Sequence, residues 1–149
     1  MKNNHSRASV FLIEFTISIL LFSLATAVCI QFFVKSHLKS RDSESLSHAI
    51  IETQNIAEIF RGTSGMGTDA TINMLKKAYP DLENNDFSEV IIYYDENYRP
   101  CPKDKCRYMA KTSFTTKDGF ITMNSVFAAT DNNEEIYSLP LKIYLGEQQ

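Results

Sequence analysis

Three groups of residues in this 149-residue chain are of types and spacings that could do chemistry. The first is a carboxylate, Glu14, near the start of an apolar run. An ionised carboxylate in hydrocarbon costs a few kcal/mol, so it must be paired with a cation or held at the membrane edge. The second is a thiol pair, Cys101 and Cys106, in "RPCPKDKCR". Facing positions at the base of a hairpin loop bring α-carbons within reach of a disulfide, so outside the membrane a Cys101–Cys106 bridge is expected, the alternative being two free thiols in a reducing compartment. Zinc would need two further ligands, and His5, His37 and His48 all lie far upstream. The third is the oxygen-rich run Asp131, Asn132, Asn133, Glu134 and Glu135. It lacks the spacing of a calcium loop and consists of turn-forming residues, so neither a metal nor a cofactor is expected.

The charge balance narrows the partners. The net charge is -3 and the pI near 5.6, which leaves no basic surplus for phosphate backbones, so no nucleic acid contact is expected. Residues 1–61 carry +1, with six Lys/Arg against five Asp/Glu, and residues 62–149 carry -4, with nine against thirteen. The chain has room for one domain and an accessory segment.

The segment that must position Glu14 is the apolar run itself. Phe15 to Val34 contains no charge over twenty residues, the length a helix needs to cross a bilayer. Thr16, Ser18, Ser23 and Thr26 are tolerable there because their hydroxyls can bond to the helix's own carbonyls. Before the run, "MKNNHSRAS" is short, polar and basic, as a cytoplasmic leader should be. Lys35, Lys39 and Arg41 follow the span, so the positive-inside rule does not fix the orientation. Ala25-Thr26-Ala27 has the form of a secretory cleavage site, but the apolar run continues past it and Glu14 interrupts its start.

The stretch "SVFLIEF", residues 9–15, resembles the class III signal of type IV pilins and type II secretion pseudopilins: a leader ending in glycine, then Phe-Thr-Leu-Ile-Glu and a long apolar helix. Leu12-Ile13-Glu14 agrees with that pattern, while Ser9, Val10 and Phe11 stand where glycine, phenylalanine and threonine are usual. The resemblance implies cutting between Ser9 and Val10 by a prepilin peptidase on the cytoplasmic side, with N-methylation of the new terminus. It also implies that the freed amine of Val10 meets Glu14 of a neighbouring subunit. An unpaired buried charge penalises wrong stacking, so such a pair would set register in a filament.

Beyond the span, no Pro or Gly occurs from Val10 to Arg61, which predicts one continuous helix of about 78 Å. Leu46, Ile50, Ala57 and Phe60, with Ala49 beside them, form an apolar stripe for a covering domain. Gly62, in "RGTSGMGTD", is expected as a left-handed helix cap. No Gly-Lys-Ser/Thr follows, so the glycines do not make a phosphate loop. Thr68 or Asp69 then caps a short helix over 70–79, ended by Pro80. From Glu89 the period changes to two, giving four antiparallel strands over 90–94, 108–117, 120–130 and 137–145. Asp118-Gly119 and Asp131-Asn132-Asn133 form the turns, and Pro140 places the last strand at an edge. Tyr93, Tyr94, Tyr98 and Tyr108 are expected to gather near the cysteine loop.

The expected organisation is therefore an α+β, pilin-like chain: leader 1–9, transmembrane half-helix 10–34, extracytoplasmic half-helix 35–61 and head 62–149. The head has no histidine, so Ser-His and Cys-His nucleophile pairs cannot be built in it, and no enzyme is expected. The expected partners are the membrane, a prepilin peptidase and other pilin-like subunits of a pilus, type II secretion or competence-type filament. The alternative is a non-polymerising, single-pass anchored domain that keeps its leader.

Overall fold

The computed structural model describes residues 4–86 and 88–145, so the first three residues of the expected leader lie outside the described residues. The elements run α1 (Asn4–Thr63), a 3₁₀ turn (Ser64–Met66), α2 (Thr68–Ala78), β1 (Glu83–Asp86), β2 (Glu89–Tyr94), a second 3₁₀ turn (Lys103–Lys105), β3 (Tyr108–Lys117), β4 (Phe120–Ala129) and β5 (Glu135–Tyr144). The chain divides into two units, one up to Ser43 and one from Glu44 onward.

The first unit is helix alone. Its side chains from Ser9 to Ser43 are all exposed, large apolar ones such as Phe22 and Phe33 included. Thr16, Ser18 and Thr26 donate to the carbonyls of Leu12, Glu14 and Phe22 at 2.7, 2.9 and 2.9 Å, which satisfies these hydroxyls within the helix. Among the described residues this is the one helix long and apolar enough to cross a membrane.

The second unit is an antiparallel meander, β1-β2-β3-β4-β5, with the last turns of α1 and with α2 packed on one face. The sheet therefore has five strands, not four. The missed strand, Glu83–Asp86, has the sequence ENND, poor in the β-branched and aromatic residues that mark strands. It forms at the edge, held by pairing with β2 and broken by a register shift between Asn84 and Asp86.

The core alternates as a half-buried sheet must. Val90, Ile92 and Tyr94 on β2, Ala110, Thr112 and Phe114 on β3, and Ile121, Met123, Ser125 and Phe127 on β4 are buried. The register sets Ile92 opposite Ala110 and Ala110 opposite Phe127, so these residues share one face. The two polar members, Thr112 and Ser125, face each other and share a 2.9 Å hydrogen bond, which removes the cost of burying them.

The helix stripe on this face is Ala49, Thr53, Ile56, Ala57 and Phe60, rotated from the expected one. Leu46 remains 41% exposed, at the margin of this packed stretch. Thr53 is tolerated at 0% exposure since its hydroxyl donates to the Ala49 carbonyl at 2.8 Å. This packing places the last turns of α1 in the second unit, which begins at Glu44.

Gly62 is not a left-handed cap. The helix passes through it to Thr63, whose hydroxyl donates to the Ile59 carbonyl and bonds Thr71 on α2 at 2.7 Å. The positive φ appears at Gly67 (+90°), which precedes α2 and is its N-cap in place of Thr68 or Asp69. The β3–β4 turn is as expected: Asp118 (φ 54°) and Gly119 (φ 74°) make the two-residue loop with both φ positive that matches strand twist. At the β4–β5 turn Asn133 is left-handed (φ 57°), and Asn132 bonds both the backbone and the side chain of Glu134. Pro140 lies on β5, an edge strand, where a missing N–H is harmless.

Candidate functional site: the N-terminal segment

Ser9, Val10 and Glu14 lie in succession on α1, all exposed. Val10 and Glu14 are one turn apart on the same face, about 6 Å along the axis. The Ser9–Val10 peptide bond is inside the helix, so cutting it requires the first turns to unwind. Phe11 and Phe15 stack at 6.4 Å between centroids, and Thr16 and Ser18 tie their hydroxyls to the backbone beside them. The result is an apolar helix surface with a carboxylate one turn from Val10. The expected role of Glu14 needs a cation from outside this chain.

The cysteines are arranged differently from the expected hairpin base. Cys101 N–H donates to the Tyr93 carbonyl at 3.0 Å, and Arg107 N–H donates to the Tyr94 carbonyl at 2.8 Å. Successive carbonyls of a strand point to opposite sides. Cys101 therefore lies along the β1 side of β2, next to the Tyr94–Pro100 bridge, while the chain at Arg107 has crossed to the β3 side. The expected Cys101–Cys106 disulfide is not formed: both thiols are free, Cys101 buried and Cys106 half-buried with Thr130 Oγ1 at 3.7 Å from its sulfur. Burial, with the negative charge of Asp95 next, pushes the Cys101 thiol up from its ordinary value, so it is a poor nucleophile. Cys29 is a free thiol on the exposed apolar helix.

The four tyrosines near this loop divide into separate groups. Tyr94 is in the core, where its hydroxyl and that of Tyr79 donate to the same oxygen of Glu52 at 3.1 and 3.2 Å. Burial, reinforced by that carboxylate, pushes Tyr79 up to about 12 and Tyr94 further. Tyr93 points to the opposite face and donates to Glu83 at 2.7 Å, where Lys103 also reaches at 3.1 Å. Those two bonds hold the Glu83 carboxyl below its ordinary range. Tyr98, left-handed at φ 59°, is sandwiched between His48 (4.1 Å) and Tyr108 (4.8 Å).

Sequence reasoning missed Glu52 and His48, which sit on α1 beside the buried stripe. The signal was present in their spacing, since Glu52 lies three residues from Ala49 and four from Ile56, and His48 four residues from Glu52, on a helix. Among the described residues no group of three His, Cys, Asp or Glu could hold a metal ion. Comparison of the chain with protein-family models, with curated proteins and with solved structures finds no match.

Proposed function

We propose that the chain is a pilin-like or pseudopilin-like subunit that assembles through its N-terminal helix into a filament of the type IV pilus, type II secretion or competence class. The observation that carries this reading is Glu14. It is a lone carboxylate on an exposed apolar helix surface, the fifth residue after the predicted cut and preceded by Leu12-Ile13. A plain anchor gains nothing from that placement, whereas a subunit whose neighbours supply an amine uses it as a register device. The exposed apolar helix and the meander head with α1 packed on it support the same reading.

In this reading the N-terminus is cytoplasmic, and the head, from Glu44 onward, is extracytoplasmic. Subunits wait in the membrane with the helix in lipid. The Ser9–Val10 bond is cut by a membrane peptidase, and assembly then exchanges lipid for neighbouring helices around the Phe15–Val34 surface. The head acts as a binding or packing module and not as an enzyme.

Replacing Glu14 by Gln tests the proposal. Removing one partner of a buried ion pair costs about 3–5 kcal/mol per contact. The expected outcome is a variant that inserts normally but yields no sheared or cross-linked filament. Filaments in wild-type amount would remove Glu14 from the mechanism.

A further inference from the structure

The helix just past the span carries a charge pattern that the filament reading does not use. Counting from Val34 at 1.5 Å per residue, Lys35 and Lys39 lie about 1.5 and 7.5 Å above the end of the apolar run. That range coincides with the interfacial layer of a bilayer, about 5–7.5 Å thick on each side. At 100° per residue the two lysines are about 40° apart on the helix surface. Ser36 lies about 60° round from Lys39 at a depth between the two lysines, and Phe32 lies directly beneath them. Phe32, Lys35, Ser36 and Lys39 line one shallow groove with Ser40 and Ser43 farther along it, and all are exposed. Arg41 and His37 lie at least about 120° round the axis from Lys35. Asp42 shares the lysine face but sits about 12 Å past Val34, beyond the headgroup layer.

We propose that Lys35 and Lys39, with the hydroxyl of Ser36 beside them, bind the phosphate of an anionic phospholipid headgroup at the outer end of the span. This rests on the reading of Phe15–Val34 as a membrane span. Two ammonium groups one turn apart supply the charge complement of a phosphodiester, and Ser36 supplies a neutral donor at a depth between them. Phe32 below them is placed to lie against the first methylenes of the acyl chains. The contact fixes the depth of the helix while the subunit resides in the membrane, and it is surrendered when the helix leaves lipid.

The test uses the full chain in phosphatidylcholine vesicles containing trace spin-labelled phosphatidylglycerol or phosphatidylcholine. The ratio of their association constants at the protein is read by electron paramagnetic resonance. Wild type is expected to favour phosphatidylglycerol. Each of Lys35→Gln and Lys39→Gln is expected to lower the ratio about fivefold, and Arg41→Gln to leave it unchanged. An equal loss in Arg41→Gln would show a diffuse charge effect and overturn the site, as would a wild type without preference. Loss of preference in inorganic phosphate, but not in chloride of equal ionic strength, would assign the groove to free phosphate instead. Alkaline carbonate extraction of the same vesicles separates the two readings. Release of the wild-type chain overturns the span and the site together, whereas a retained chain without lipid preference overturns the site alone.

Discussion

Glu52 gives the sharpest test of how the head is held together. Its Oε2 accepts from Tyr94 at 3.1 Å and from Tyr79 at 3.2 Å, joining α1 to β2 and to the end of α2. Tyr94 is 0% exposed and Tyr79 is 8% exposed, so in Glu52→Leu the Tyr94 hydroxyl, with no route to water, exchanges a charged acceptor for the neutral Tyr79 hydroxyl beside it. A hydrogen bond to a charged group contributes about 1.5–3 kcal/mol, and Tyr79 rehydrates at the margin for less, so the expected loss is about 2–3 kcal/mol. Tyr94→Phe removes the donor and leaves the carboxylate bonded to Tyr79, for about 1 kcal/mol. The double variant removes both ends of the Tyr94–Glu52 bond, so it should cost about 1 kcal/mol less than the sum of the singles. Urea unfolding of the full chain in micelles, followed by near-ultraviolet circular dichroism of its tyrosines, reads all three. A Glu52→Leu loss under about 0.5 kcal/mol, or strict additivity, would refute the argument that this carboxylate staples helix to sheet.

Two further outcomes follow from local geometry. Gly119→Ala puts a side chain at φ 74°, with its new Cβ 3.5 Å from the Tyr144 ring. The contact is ordinary, so backbone strain alone sets the cost, about 1 kcal/mol by the same unfolding assay. In alkaline titration, Tyr79 and Tyr98, both raised from 10.0 to about 12 mainly by burial, hold their protons longer in the folded than in the unfolded chain. A raised folded value means that their contribution is fully present below pH 10.0 and is lost as the pH climbs through about 12. Part of the phenolate absorbance should therefore appear together with loss of the dichroism signal, and a complete titration of all tyrosines in a still-folded head would contradict this.

The parts of the fold that were legible in the sequence are those where one local rule dominates. Alternation over 108–117 and 120–129 and the Asp118-Gly119 step specify a hairpin with little competition. On α1 the expected Ala49, Ala57 and Phe60 are buried, whereas Thr53, a polar residue that an apolar pattern passes over, joins them with its hydroxyl satisfied by its own helix, and Leu46 stays out. Gly62 carried a strong cap signal, but the Thr63–Thr71 contact carries α1 past it, and the left-handed turn moves to Gly67. Strand β1 was invisible because ENND pairs through its backbone, aided by Glu83, whose carboxylate gathers Tyr93 and Lys103 from distant positions. The same non-local contacts redirect the cysteine loop, since the Pro100–Cys101 segment extends the β1 edge of β2. Of the candidate site, Ser9, Val10 and Glu14 were all readable as residues, and among the described residues Glu14 has no ion-pair partner, so the proposed pairing falls to a neighbouring copy.

The most direct test of the central claim is the mass of the N-terminus of the protein isolated from its own membranes. Assembly through a freed amine requires a chain that begins at Val10, shortened by residues 1–9, with or without a methyl group on the new amine. A chain that retains residues 1–9 would contradict assembly through a freed amine and leave a plain membrane anchor, and one that begins at Val28 would make the apolar run an ordinary secretory signal.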